Sequence, residues 1–202
     1  MSPKGGGPTP PAATRPVGHH HGDLRNALET AALDLLVERG PGGFTLNEVS
    51  RRAGVSKAAP YKHFTDKEDL LASLVQRCYE RQHSVFSTAV MAAATPVDAL
   101  VAFGAAYVRF AAEEPALFTL TFGGTLDKTA HPHLEEAGKR VLDVITAPAQ
   151  DLARDSGGAQ RLALAIAANA HGFAVFHLQG VIAQLDAAVE QAEDCARRLT
   201  AQ

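Results

Sequence analysis

Apolar positions recur every three or four residues from Leu24 to the carboxyl end, and no stretch alternates with the period of two that a strand requires, so the chain is predicted to be all-α. Leu24, Leu28, Ala31, Leu35 and Leu36 share one face of a first helix from about Asp23 to Arg39, stopped by Gly40. Thr45 followed three positions later by Glu48 has the form of a capping box and starts a second helix. On that helix Leu46, Val49 and Ala53 share the packed face, while Arg51 and Arg52 fall away from it. Gly54 supplies a tight turn. Ser56 is then expected to cap a short third helix, about Lys57 to Phe64, whose outer positions are Lys57, Ala58, Ala59, Tyr61, Lys62 and His63. Pro60 falls in or just after its first turn, where a missing N–H does least harm.

Thr65 or Asp66 caps a long helix from Lys67 to about Ala94 that neither Gly nor Pro interrupts. Thr95-Pro96-Val97-Asp98 reads as a cap with proline at the first helical position, opening a helix to Glu114. Pro115 starts a short helix stopped by Gly123-Gly124. Three further helices are predicted: His133 to Asp155 with a kink at Pro148, Ala159 to Gln184, and Ala187 to Ala201.

Charge separates the two ends of the chain. Residues 1–67 carry nine Lys/Arg against six Asp/Glu, and residues 68–202 carry ten against sixteen, so the net charge of −3 conceals a basic front on an acidic body. Such a front attracts nucleic acid. Small residues at the start of the third helix allow close approach to base edges, where an alanine methyl meets a thymine methyl, while basic side chains reach phosphates. Residues 1–20 are rich in Gly and Pro and are expected to form a disordered arm; Arg15 and Arg25 flank His19-His20-His21, which is too short and too mobile to count as a metal site. Cys78 and Cys195, without close pair spacing, suit a reduced cytoplasmic protein. No apolar run near 18 residues is evident, so no membrane partner is expected. His131, His133, His171 and His177 match no compact metal-ligand spacing, and no nucleophile elbow or phosphate loop is present, so neither catalysis nor a cofactor is expected.

The segment from Gly22-Asp23-Leu24-Arg25 through Thr45, Val49, Ala53-Gly54-Val55-Ser56, Tyr61, Phe64 and Lys67-Glu68-Asp69-Leu70-Leu71 resembles the helix-turn-helix domain of the TetR (tetracycline-repressor-like) family of bacterial regulators. Glu114-Pro115-Ala116-Leu117-Phe118 is similar to one subgroup of it, and Pro60 departs from the commoner aliphatic residue at its position. The resemblance implies a three-helix helix-turn-helix DNA-binding domain at 21–67 and a larger helical effector-binding and dimerisation domain at 68–202. It implies that Thr45, Arg51, Ser56, Lys57, Ala58, Ala59, Tyr61, Lys62, His63 and Lys67 meet double-stranded operator DNA.

Two features of the body remain open on residues alone. The aromatic series Phe86, Phe103, Tyr107, Phe110, Phe118, Phe122, Phe173 and Phe176 is either core or the wall of a cavity; the resemblance implies a pocket for a small apolar effector, with Arg77, Asn169, His171 and His177, and also His83, as orienting polar groups. The helix Arg161 to Gln184 is apolar over most of its circumference and must be covered on more than one side. It is either an internal core helix or, as the resemblance implies, part of a four-helix homodimer interface with Leu162, Ile166, Ala168, Val175, Ile182, Val189, Ala192 and Leu199. The expected function is a ligand-responsive homodimeric repressor; an activator, a ligand-independent regulator, or a helical ligand-binding protein without DNA recognition are the alternatives.

Overall fold

The computed structural model describes residues 21–201, and there the protein is all-α. Among the described residues are nine α-helices: α1 His21–Arg39, α2 Leu46–Arg52, α3 Lys67–Met91, α4 Pro96–Glu113, α5 Pro115–Phe122, α6 Pro132–Asp143, α7 Thr146–Leu152, α8 Ser156–Leu178 and α9 Leu185–Thr200. The expected arm at 1–20, with Arg15, His19 and His20, lies outside the described residues.

Local chemistry sets the boundaries. Thr45 Oγ1 accepts from the Glu48 amide at 3.3 Å while the Glu48 carboxylate accepts from the Thr45 amide at 2.9 Å, which is the reciprocal cap that starts α2. Gly54 closes it with φ +69°, as the turn requires. Asp66, not Thr65, caps α3, accepting from the Asp69 amide at 2.9 Å. Thr95 caps α4 and Pro96 occupies its first turn, as the sequence predicts.

Three expected helices are drawn differently. The single helix from His133 to Asp155 is two, because the pyrrolidine ring of Pro148 conflicts with the carbonyl four residues earlier, and that residue, Val144, is where α6 ends. The helix expected to run to Gln184 stops at Leu178: Gly180 takes φ +74° and Val181 N–H reaches back to the Phe176 carbonyl at 2.9 Å, a left-handed cap that leaves Ile182 off the helix. The third helix of the front module is only a turn followed by a 3-10 segment, Pro60–Lys62. Pro60 has no N–H for the Ser56 carbonyl, and the chain makes i to i+3 bonds, Ala59 to Ser56 at 3.0 Å and His63 to Pro60 at 2.9 Å. Ser56 therefore caps no helix.

α4 is the axis of the body, packed by α3, α8 and α9. α9 passes beside Gly104, where a Cβ would make an ordinary contact with the Ala192 carbonyl at 3.7 Å. Phe86, Phe103 and Phe110 are fully buried around it, each side chain worth about 1.5–3 kcal/mol of transfer from water.

Candidate functional site

The front module leaves three of its cations at the surface without an ion-pair partner among the described residues. Arg51 on α2 and Lys57 and Lys62 on the following turn are exposed, and among the described residues none of the three is held in an ion pair. Tyr61 stands beside them, 59% exposed, with Thr45, Ser56 and Ala58 also at the surface and His63 half-buried. The neighbouring cations are tied down, which keeps the framework stiff. Arg52 makes a two-armed bridge to Glu38, one arm 2.8 Å, and holds the Glu38 carboxyl below its usual pKa; Arg39 meets Glu48 at 2.8 Å.

Two of the expected contact residues are turned away. Ala59 is buried with Pro60 because the 3-10 segment rolls them inward, so its methyl is core. Lys67 donates to the Phe44 carbonyl at 2.6 Å and lies 4.4 Å from the Phe44 ring centroid, and burial lowers its pKa. It locks α3 to the loop before α2. Arg25 likewise stacks over Phe64 at 4.9 Å and binds Glu29 at 2.9 Å.

In the body, Phe86, Phe103, Tyr107, Phe110, Phe118, Phe122 and His171 form one continuous ring cluster, with centroid separations from 4.9 to 6.0 Å. Tyr107 Oη and His171 Nδ1 are 3.0 Å apart. Burial pushes the Tyr107 phenol up and the His171 imidazole down, so the contact joins a protonated phenol to a neutral ring, whose Nε2 lies on the other side. Clefts of about 510 and 620 Å³ open beside α1, against α3 and against α5.

Several expected pocket residues lie outside the cluster. Arg77 faces α1, bonded to the buried Glu29 carboxylate at 3.0 Å, and so couples the front module to α3. His177 Nδ1 donates to the Ile182 carbonyl at 3.1 Å and closes the end of α8. Phe176 is 47% exposed, Phe173 packs on the edge of the core, Asn169 makes no hydrogen bond, and His83 is exposed. Conversely, Tyr79 and Lys128 lie against Phe122 at the edge of the cluster, and Gln82 is buried on the helix that carries Phe86; none of the three was anticipated. Tyr79 and Gln82 sit two turns and one turn before Phe86 on α3, a spacing that carries the signal for Tyr79. Gln82 is 0% exposed with neither amide atom paired, and a glutamine gives no sequence cue for burial. Lys128 arrives from a loop, which periodicity does not reach.

The expected dimer residues also divide. Ile166, Val189 and Ala192 are 2% exposed or less and pack inside one protomer, Ala192 against Gly104. Ala168 lies instead on an open row with Leu164 and Phe176, 59% and 47% exposed, and Gly172 between them has nothing within 4 Å of a Cβ. Leu162, Val175, Ile182 and Leu199 are half-buried at its edges. Contrary to the expectation of no long apolar run, α8 is 23 residues long with a mean hydropathy of 1.2, apolar enough by length and composition to cross a membrane. Its hydrophobicity serves two sides, the core and that open row. No cluster of His, Cys, Asp and Glu suited to a metal occurs among the described residues.

Comparison with known proteins gives matches to both ends of the chain. The family model for the tetracyclin repressor-like C-terminal domain matches residues 100–202, and that for bacterial regulatory proteins of the tetR family matches residues 29–74. The HTH-type transcriptional regulator BetI of Rhizobium meliloti is 35% identical over 95 residues, which are 46% of this chain and 47% of that protein. The HTH-type transcriptional activator FasR of Mycolicibacterium smegmatis is 29% identical over 136 residues, 67% of this chain and 61% of that protein. The matches thus span less than two thirds of either relative. A solved structure of a protein with unknown function from Rhodococcus sp. RHA1 superposes with a TM-score of 0.79 at 33% identity, covering 93% of this chain and 100% of that one.

Proposed function

Since the chain belongs to the tetracycline-repressor-like family of bacterial transcriptional regulators, we propose that it acts as a cytoplasmic homodimer that binds operator DNA as a repressor and is released by a small apolar effector. The observation that carries the DNA reading is the unpaired cationic surface of Arg51, Lys57 and Lys62 around exposed Tyr61, on a frame stiffened by paired neighbours. Tyr61 and the small Ala58 face the base edges, and the cations, with Thr45, Ser56 and His63, line the phosphates. The boundary between reader and body falls near Lys67, where α3 leaves the reader without a break. Two copies, joined through the open row of α8, would read half-sites one helical turn or a multiple apart. Ring cluster and α3 share Phe86, so a ligand entering the cluster acts directly on the helix that carries the reader.

The second reading is an activator, favoured by the likeness to FasR, which is named as one. Selecting duplexes from a random pool and measuring affinity against salt tests the DNA reading. The expected outcome is a two-fold symmetric site bound at least about a thousandfold better than random DNA. Lys62→Ala should weaken binding to all sequences and lower the salt slope by about one. Equal binding of selected and random DNA would sink the proposal. Transcription from the selected site with and without the protein separates repressor from activator.

A further inference from the structure

The ring cluster has a closed end and an open end. Phe86, Phe103 and Phe110 at the closed end are 1% exposed or less, whereas Phe122 is 38% exposed and is the last residue of α5, followed by Gly123 and by Gly124 at φ +73°. Two polar side chains flank that outer ring. Lys128 Nζ lies 5.3 Å from the Phe122 centroid and donates to Tyr79 Oη at 2.9 Å, and among the described residues it meets no carboxylate. His171 packs on Phe122 at 4.9 Å and, with its Nδ1 held 3.0 Å from Tyr107 Oη, turns Nε2 to its surroundings. Among the described residues the acceptor that Lys128 meets is the neutral Tyr79 phenol, and no carboxylate offsets its charge. Deeper in, on the stripe that joins Cys78 to Phe86, the Gln82 amide is fully buried and unpaired, a polar group that a well-packed core does not retain without a partner.

We propose that this end is the effector site and that its ligand is a hydrophobic carboxylic acid, with the carboxylate on Lys128 and the hydrocarbon in the space Phe122 fills, against Phe118 and His171. The proposal rests on the effector reading above and adds the ligand's chemical class. A half-buried ammonium beside apolar rings favours an anion over a neutral molecule, because the charge pair forms where water screens it less, and it rejects an amine by like charge. Phe122 is the gate. At a helix end followed by two glycines, its ring swings outward without disturbing the buried side of α5, where Leu117, Phe118, Leu120 and Thr121 hold the helix in place.

The test uses the whole chain without DNA, titrated calorimetrically with decanoate and 2-naphthoate, their neutral counterparts decanol and 2-naphthol, and decylamine. Operator release is measured in parallel. At least one acid should bind, about tenfold or more tighter than its alcohol, and the amine should not. Lys128→Gln should erase the preference for the acid while leaving the affinity for the alcohol; Lys128→Arg should retain it; Phe122→Ala should speed association. Alcohols binding as well as acids, acids unaffected by Lys128→Gln, or no acid binding at all would overturn the assignment. If the alcohols alone bind and release the operator, the ligand class is wrong and the effector reading stands. An acid that binds through Lys128 without touching operator affinity would support the site and count against the effector reading.

Discussion

Gln82 carries both halves of an amide into a place where the described residues pair neither. A buried unpaired donor or acceptor costs about 1–3 kcal/mol, so Gln82→Leu, which removes both and keeps the bulk, should raise unfolding stability by about 1 kcal/mol in urea titration. A lower midpoint would mean that the amide is paired in solution. His171 gives a pH dependence. Burial depresses its folded pKa below the usual 6.5, so as pH falls through 6.5 the unfolded chain takes up a proton that the folded chain resists, and stability declines until the lower folded value is passed. Between about pH 5 and 7.5, His171→Asn should flatten that part of the melting-temperature profile; an unchanged profile would refute the neutral, buried imidazole. The burial of Gln82 was not legible beforehand, because a glutamine on an amphipathic helix reads as surface until the facing helix is known, whereas His171 was expected beside the rings through the family resemblance.

At the scale of elements, the readable features were those written in neighbouring residues. The Thr45–Glu48 box, the Gly54 turn and the Thr95-Pro96 start form where the sequence puts them, because each depends on atoms within three positions. Lengths failed where one residue vetoed a periodic pattern. Pro148 splits a helix upstream of itself, Gly180 ends α8 although apolar residues continue to Ile182, and Pro60 reduces the recognition element to a 3-10 turn. Pro60 yields a further expectation. Pro60→Ala returns an N–H to the Ser56 carbonyl and should add about one turn of helix by far-ultraviolet circular dichroism. It should also change the base preference in selected duplexes while leaving the salt slope as it was, since the cations proposed to meet phosphates are untouched. An unchanged preference would show that the turn does not position base-reading groups.

For the whole molecule, the hidden variable was which apolar face is inside. The resemblance implied that Ile166, Ala168, Val189 and Ala192 share an interface, yet three of them pack within a protomer and, of the four, Ala168 alone is outward. Ala168→Asp should therefore give a folded monomer by light scattering and lower operator affinity at least about tenfold, whereas Val189→Asp should unfold the chain by burying an unpaired charge. A dimeric Ala168→Asp protein would place the interface elsewhere. The unbroken α3 sets the gearing between the two ends. Its 25 residues, at 1.5 Å each, make a rod about 37 Å long, with Lys67 fastened to the reader through Phe44 and Phe86 embedded among the rings. A rocking of about 5° about one end carries the other about 3 Å, close to the 3.4 Å step between stacked base pairs. In the dimer we propose, a displacement of that size at the far end would put the two readers about one base out of step with their half-sites.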